Sequence, residues 1–449
     1  MNTGLMSRGP AEAPAQGWTL GGPPRDYVLG HVRAVLPDRV LDDALVAVRD
    51  GRIAEVAPHP AGVEADVDGQ GMLCLPGLVD VHSDGLEKEL LPRPGAELPL
   101  EFALLSFEGK LRAAGVTTAY HGAAFEESGG RGMPRTLENA RRICAAVASR
   151  GDNGLVDHRI LHRLDVRCPE GLAGLRQRLE RIGGAEREPV LVSHEDHTPG
   201  QGQYADRGYY ERYLVGTRGV TEDKARAYVD RLIEDRDGRL DVREEALHWL
   251  GEQARADRIR LLGHDPSSAE EIEELRMRGG AVAEFPTTAA AAEAAYEHGM
   301  PTVMGAPNVL RGHSHNGNAS GRELVGRGLV TALASDYLPS GLLSAALLLA
   351  EEGLAPLPAA VGLVTGGAAD VAGLPDRGRL AAGLRADLVL AEPGRPWPVV
   401  AAVLRAASEA DPVSNSVSGS AWGSASGSAL GSASDSGANP GANPGGDAA

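Results

Sequence analysis

Imidazole and carboxylate side chains stand directly after several short apolar runs of this sequence. His82 and Asp84 follow the first such run, and His197, His264 and Asp336 follow later ones. A spacing of two places His82 and Asp84 on one side of an extended segment. Because imidazole nitrogen and carboxylate oxygen both bind divalent ions such as Zn²⁺ or Mn²⁺, the set predicts a metal site.

The remaining histidines are weaker candidates. His194 competes with His197 for the same strand end, and the sequence does not choose between them. We predict surface or packing roles for His31, His59 and His248, which stand in segments assigned to β structure or to a helix.

Basic residues lie in the segments that leave candidate strand ends. Lys88 and Arg93 follow the first strand, and a later glycine-rich segment contains Asn308, Arg311 and His315. An arginine such as Arg311 can bind phosphate through two N–H groups. Basic residues around a metal-binding mouth suit a phosphorylated small-molecule substrate, whereas the simpler alternative is a set of solvated charges on flexible loops.

Composition limits the classes of partner. The 449-residue chain carries 44 basic and 62 acidic residues, a net charge of −18, which argues against nonspecific nucleic-acid binding. Its longest apolar run, near 345–350, is well short of the ~20 residues that a membrane span needs. Three cysteines without paired spacing indicate reduced thiols and a cytoplasmic protein. The oligomeric state stays open, and a homo-oligomer is one of the options.

The elements that must hold these side chains alternate between strands and helices. Strand–helix units in series predict an α/β fold, a metal-dependent (β/α)8 barrel of the TIM type, with a doubly wound sheet as the alternative. Catalytic groups of such barrels lie at the carboxyl ends of the strands, which is where the candidate ligands stand. The eight predicted strands are Leu78–Val81, Thr117–Tyr120, Ile160–Val166, Val190–Ser193, Ile259–Leu262, Ala281–Ala283, Thr302–Met304 and Thr331–Ala334.

Both ends of the chain contribute to a second unit. Short strands before and after the barrel, with a hairpin turn at Asp50-Gly51, predict a small β-sandwich domain. The low-complexity ends predict disordered tails. The predicted segments are a tail at 1–24, an amino-terminal β-sandwich segment at 25–75, the barrel at 76–372, a carboxyl-terminal β-sandwich segment at 373–406 and a Ser/Gly-rich tail at 407–449.

Longer motifs around the candidate ligands resemble one known family. Residues 75–82 read LPGLVDVH and continue as SDGLEK, while 284–288, 304–308 and 335–337 read EFPTT, MGAPN and SDY. This pattern, over about 27–395, is similar to the PhnM family of the amidohydrolase superfamily. That family comprises α-D-ribose 1-methylphosphonate 5-triphosphate diphosphatases of the carbon–phosphorus lyase pathway of phosphonate catabolism.

The resemblance implies a hydrolysis and assigns roles to residues. Water would cleave the α–β phosphoanhydride, giving the 5-phosphate and pyrophosphate. One or two divalent ions, Zn or Mn, would activate that water and polarise a phosphoryl oxygen. Asp336 would orient the water and accept its proton, while Arg and Lys would neutralise phosphate charge. The implied metal ligands are His82, Asp84, His197, His264 and Asp336, and the implied substrate-binding residues are Lys88, Arg93, Asn308, Arg311 and His315.

One segment departs from the family pattern His-Arg-x-His-x-Arg-Cys-Glu, whose glutamate is a candidate bridge between two ions. Here Asp165 takes the place of the second histidine, and Pro169 separates Cys168 from Glu170. Either Asp165 or Glu170 is therefore a candidate bridging ligand.

Two other functions stay open at this point. One is a metal-dependent amidohydrolase that cleaves a C–N bond in a cyclic amide or an N-acyl substrate. The other is a non-catalytic barrel that has lost a ligand and serves as an assembly partner.

Overall fold

A computed structural model describes residues 18, 22–128, 133–151, 154–183, 190–204, 206–314, 317–392 and 397–406. Most of the two predicted tails lies outside these ranges. None of the helices within them combines the length and the apolar character that crossing a membrane requires.

Parallel strands form a nearly closed barrel. In the described chain its eight strands are β6 (Leu78–Ser83), β7 (Val116–Phe125), β8 (Asp157–Asp165), β9 (Val190–Glu195), β10 (Ile259–His264), β11 (Val282–Glu284), β12 (Thr302–Gly305) and β13 (Ala332–Ala334). Each strand pairs with the next one along the chain. This order confirms the (β/α)8 barrel and excludes a doubly wound sheet, in which the strand order reverses midway.

Helices connect the barrel strands and cover the outside. They are α1 (Gly85–Leu90), α2 (Leu100–Ala113), α3 (Leu137–Arg150), α4 (Pro169–Ile182), α5 (Arg207–Arg218), α6 (Glu222–Asp237), α7 (Leu240–Arg255), α8 (Ala269–Met277), α9 (Ala289–Glu297), α10 (Ala306–Arg311), α11 (Gly321–Gly326), α12 (Gly341–Glu351), α13 (Leu357–Gly362) and α14 (Gly366–Ala372). The side chains of Thr136 and Ser268 cap α3 and α8 by accepting backbone N–H bonds from Asn139 and Glu271. Both helices are thereby fixed at their first turn.

Alternation along each strand separates the packed core from the site. Leu191 of β9 belongs to the apolar interior, against which α14 also packs. Ser193 and Glu195 follow on the same face, because every second side chain of a strand points the same way. The inward-facing positions of the strands are therefore apolar in the lower part of the barrel and polar at the mouth, which the carboxyl ends of the strands form.

Asp80 joins the first and last barrel strands. Its two carboxylate oxygens accept hydrogen bonds from the backbone N and the hydroxyl of Ser335, at 2.9 and 2.6 Å. One step further along, the backbone N of Asp336 donates to the carbonyl of His82 at 2.9 Å. Closure of the barrel thus fixes Asp336 beside His82.

Strands from both chain ends form a second sheet. Its seven described strands are β1 (Tyr27–Val35), β2 (Val40–Arg49), β3 (Arg52–Pro58), β4 (Val67–Asp68), β5 (Leu73–Pro76), β14 (Leu388–Glu392) and β15 (Val399–Leu404). The order is β15-β14-β5-β1-β2-β3, with β4 paired to β1. Asp50 and Gly51 have φ angles of 52° and 71°, as the predicted hairpin turn requires. The β unit built from both ends is confirmed, and its domain boundaries stay predictions.

Candidate active site

A cavity of about 340 Å³ opens at the carboxyl ends of the barrel strands. It is lined by His82, Asp84, His197, His264 and Asp336, together with Asn308 and Arg311. The structure therefore brings all five predicted metal ligands to one mouth, although they come from four different strand ends.

Glu284, at the end of β11, orients two of the imidazoles. Its carboxylate oxygens accept hydrogen bonds from Nδ1 of His82 and Nδ1 of His264, both at 2.7 Å, and from the Ser193 hydroxyl at 2.6 Å. Burial alone would raise the pKa of Glu284, but the two imidazoles outweigh burial and hold that pKa well below its usual range. Since a carboxylate can only accept, each ring keeps its proton on Nδ1 and leaves Nε2 for an ion, as is usual for metal-bound histidine.

Two groups of three donor residues adjoin this carboxylate. In each group, the ligand atoms lie within 4.8 Å of one another. The distance from Nε2 of His82 to Oδ1 of Asp84 is 3.7 Å, and from Nε2 of His264 to Oδ2 of Asp265 it is 3.5 Å. Two ligands of one tetrahedral ion lie about 3.4 Å apart, so these spacings suit coordination better than hydrogen bonding. The groups are His82 with Asp84 and Asp336, and His197 with His264 and Asp265.

The donor chemistry of both groups fits a divalent ion. Oδ1 of Asp84 and Oδ2 of Asp265 are buried and lack a hydrogen-bond partner among the described residues. A buried acceptor without a partner is costly unless another group, such as a cation, satisfies it. Each candidate ion position therefore contains one carboxylate oxygen that the protein itself does not satisfy.

Two arginines hold the other oxygen of Asp84. Arg163 of β8 and Arg135 both donate to Oδ2, the latter at 2.8 Å. Arg163 also donates to Glu195 of β9. Burial alone would raise the pKa of Asp84, but the two guanidinium groups keep it well below its usual range. Asp84 is thus held ionised, with Oδ1 turned away from both arginines.

Backbone turns aim two of the acids into the mouth. Asp265, directly after β10, and Asp336, two residues after β13, have φ angles of 55°. This left-handed region is unfavourable for residues other than glycine, and such strain concentrates at functional sites. The turns bring both carboxylates back over the barrel rather than out to solvent.

The structure distinguishes His197 from His194. His197 lines the cavity, and its Nε2 lies 3.8 Å from Oδ2 of Asp265. His194 belongs to the opposite face of β9 and lines a separate small pocket with Arg243 and Arg278. Alternation along β9 turns His194 away from the side of Ser193 and Glu195, whereas His197 lies in the segment that follows the end of the strand at Glu195.

The two bridging candidates lie elsewhere. Asp165 accepts two hydrogen bonds from the Arg236 guanidinium of α6, both at 2.8 Å, and Arg236 also donates to the Thr198 hydroxyl. Glu170 is exposed in the first turn of α4. Neither belongs to a donor group found among the described residues. Asp165 instead links α6 to the segment that carries His197.

The predicted phosphate-binding residues separate into three sets. Arg311 and Asn308 line the cavity. Lys88 of α1 lies beside it, above the ring of Tyr337. Arg93 is exposed and does not line the cavity, and His315 lies outside the described residues.

Several residues at the site had no role assigned from the sequence. Glu284, Glu195 and Asp265 stand at strand ends in the sequence, and the inward alternation could have singled out the two glutamates. Arg135 gave no local signal, because it comes from a loop distant in sequence from Asp84, and Arg163 lies in the family segment quoted above but had no role assigned to it. The site residues to which the sequence analysis gave no role are thus Glu284, Glu195, Asp265, Arg135 and Arg163.

Comparison with known proteins decides the family. No family model matches the chain. The α-D-ribose 1-methylphosphonate 5-triphosphate diphosphatase of Escherichia coli strain K12 is 36% identical over 367 residues, which span 81% of this chain and 94% of that protein. The chain belongs to this diphosphatase family. It is therefore an enzyme, a hydrolase, and the hypothesis of a non-catalytic barrel is wrong.

Solved structures share the fold of this PhnM-family chain. The N-acetyl-D-glucosamine-6-phosphate deacetylase of Mycobacterium smegmatis is 17% identical with a TM-score of 0.55, covering 85% of this chain and 99% of that one. A solved amidohydrolase is 15% identical with a TM-score of 0.54, covering 85% and 98%. Both confirm the amidohydrolase barrel.

Proposed function

We propose that this enzyme is a divalent-metal-dependent diphosphatase. It hydrolyses the α–β phosphoanhydride of α-D-ribose 1-methylphosphonate 5-triphosphate to the 5-phosphate and pyrophosphate, in phosphonate catabolism. The Escherichia coli relative carries this name. The single observation that carries the proposal is the Glu284 carboxylate, which orients His82 and His264 between two groups of potential ligands.

The two groups would hold one or two ions, Zn²⁺ or Mn²⁺. His82, Asp84 and Asp336 would bind one, and His197, His264 and Asp265 the other. A bound ion supplies acidity to water and charge stabilisation to a phosphoryl oxygen. Glu284 fixes the protonation of the two imidazoles before substrate arrives, which lowers the cost of forming the site.

Asp336 is the proton acceptor. Without a bound ion, burial and the neighbouring Asp84 carboxylate raise the pKa of Asp336 above its usual range. A carboxylate at this position is within the cavity where the attacking water would lie and can accept its proton. The water oxygen bonds to the α-phosphorus, and the bond from that phosphorus to the α–β bridging oxygen breaks. Pyrophosphate leaves with the bridging oxygen, and the proton of the water passes to Asp336.

Basic residues bind the triphosphate. Arg311 neutralises charge that develops on the phosphoryl oxygens, and Lys88 adds a second cation beside the cavity. Asn308, Arg93 and His315 complete the proposed substrate-binding set. The three cysteines are free and buried, in keeping with a reducing cytoplasm.

The test is a ³¹P NMR assay of the metal-loaded enzyme with the ribosyl 5-triphosphate, with and without chelator. We expect pyrophosphate release that chelator abolishes. Arg311→Gln should reduce the rate by at least tenfold, whereas Arg327→Gln, in an exposed ion pair with Glu293, should leave it unchanged. Absence of pyrophosphate from the metal-loaded enzyme would contradict the proposal, and hydrolysis of N-acyl or cyclic amide substrates would then favour the C–N alternative.

A further inference from the structure

A second cluster of metal-ligating side chains lies in the sheet built from the chain ends. His31 of β1, Asp43 of β2 and His59, directly after β3, each offer a ligand atom within 4.8 Å of the other two. None of them lines the catalytic cavity. The three residues thus converge from adjacent strands, outside the site described above.

The backbone holds this cluster together. Pairing of β1 with β2 shifts register between Leu29 and Val32, which is a β-bulge centred on His31. His31 and Asp43 have φ angles of 53° and 47°, in the left-handed region. The backbone N of His59 donates to the carbonyl of Asp43 at 2.8 Å, so all three positions are tied to one another before any ion binds.

The side chains are placed to share a cation. Nδ1 of His31 and Oδ1 of Asp43 are 2.9 Å apart, and the rings of His31 and His59 lie 4.1 Å apart between centroids. An ion would replace the proton between His31 and Asp43 and require these atoms to separate to about 3.4 Å. The side chains of His31 and Asp43 are 49% and 65% exposed, so they can move by that amount.

His59 supplies a second, independent indication. Its Nε2 is buried and has no hydrogen-bond partner among the described residues. A Cβ on Gly30 would lie 2.7 Å from that nitrogen, so the glycine admits the ring beside β1. An imidazole packed in this way, with an unused nitrogen, has lost hydration without gaining a protein partner.

We propose that His31, Asp43 and His59 bind a divalent transition-metal ion, with Zn²⁺ as the probe. Two imidazoles and one carboxylate form a common three-residue zinc set, with water completing the coordination. The ion cross-links three adjacent strands, and it stabilises the sheet because it binds the folded state only. The site is structural, and the hydrolysis does not require it.

The test measures zinc stoichiometry in full-length protein by elemental analysis after equilibrium dialysis. The variant combines His31→Asn, since asparagine tolerates a left-handed φ, with His59→Gln. We expect it to bind one zinc equivalent fewer than the wild type while keeping hydrolytic activity. The control His248→Ala replaces an exposed histidine paired with Glu252 and should lose no zinc.

Two further measurements distinguish loss of this zinc site from misfolding and from zinc bound at the proposed catalytic groups. Asp43→Asn is isosteric and should weaken zinc binding at this site at least tenfold without changing the circular dichroism spectrum. Zinc should raise the Tm of a His82→Ala variant, which keeps the group of His197, His264 and Asp265, by more than it raises the Tm of a variant that combines His82→Ala with Asp43→Asn. Equal zinc content in wild type, the double variant and Asp43→Asn would overturn the proposal, whatever the fate of the diphosphatase assignment.

Discussion

Arg311 donates a hydrogen bond from Nη1 to the hydroxyl of Tyr337 at 2.7 Å. Lys88 lies over the face of the same ring, with Nζ 3.9 Å from its centroid. The residue after the proposed base, Asp336, therefore positions two cations beside the cavity. The proposed base and the residue that contacts both proposed phosphate-binding cations are therefore neighbours in one short segment after the last barrel strand.

Removing the Tyr337 hydroxyl should weaken substrate binding more than it slows the reaction. In Tyr337→Phe, the ring beneath Lys88 remains and only the bond to Arg311 is lost, which is worth about 1 kcal/mol. We expect KM for the triphosphate to rise about fivefold, with kcat changed less than twofold. Tyr296→Phe, an exposed position on α9, is the control in steady-state assays. An unchanged KM would contradict a positioning role for Tyr337.

Glu284→Gln should impair metal binding. A glutamine carbonyl can accept from one imidazole, but its amide N–H₂ then faces the Nδ1–H of the other. Loss of such an orienting carboxylate typically lowers metal affinity or activity by about 10–100-fold. Metal content and pyrophosphate release measure the effect, with Glu293→Gln on α9 as the control. Full metal occupancy in Glu284→Gln would refute the orienting role.

Gly122 of β7 makes room for Asp84. A Cβ at this position would lie 2.4 Å from Oδ1 of Asp84 and 3.1 Å from Cδ of Arg163. Gly122→Ala should therefore displace the carboxylate and reduce activity at least tenfold. Gly109→Ala on α2 meets nothing within 4 Å and should raise stability by about 0.5–1 kcal/mol. The prediction fails if activity in Gly122→Ala equals that of the wild type.

Asp165→Asn should lower the free energy of unfolding and leave the metal content unchanged. The Asp165 and Arg236 side chains are only 14% and 13% exposed, so loss of one charge should cost about 3 kcal/mol. Chemical denaturation measures that loss, and elemental analysis should show unchanged metal stoichiometry. Asp42→Asn, in the exposed pair with Arg33, should change stability by less than about 0.5 kcal/mol. A lost metal equivalent in Asp165→Asn would restore it as a bridging ligand.

Glu126 should make stability depend on pH. Burial raises its pKa to about 7; Arg135 opposes the rise and Glu195 adds to it. The folded pKa lies above the unfolded value of about 4.3, so the protein takes up a proton on folding between these values. Stability from this group is therefore highest below about pH 4.3 and falls as pH rises to about 7.

Glu126→Gln removes this titration. The variant should exceed the wild type in stability by about 1 kcal/mol near pH 5 and by about 3 kcal/mol at pH 8, because the loss grows between the unfolded and folded pKa values. Urea denaturation midpoints at the two pH values measure the difference. If the difference in unfolding free energy between the two proteins does not increase with pH, the pKa of Glu126 is not raised in the folded protein.

The barrel, and the convergence of the five candidate ligands on one cavity, could be predicted from the order of amino acids alone. Apolar runs and helix caps involve near neighbours, and a parallel barrel brings every strand's carboxyl end to one mouth. His82 and Asp336 could therefore be placed together without coordinates. The three-dimensional arrangement was needed to establish that His197 rather than His194 faces the cavity, that Glu284 orients two imidazoles, and that Asp165 pairs with Arg236. These outcomes depend on which side chains from different strand ends and distant helices meet, and the local pattern of a single segment does not specify such partners.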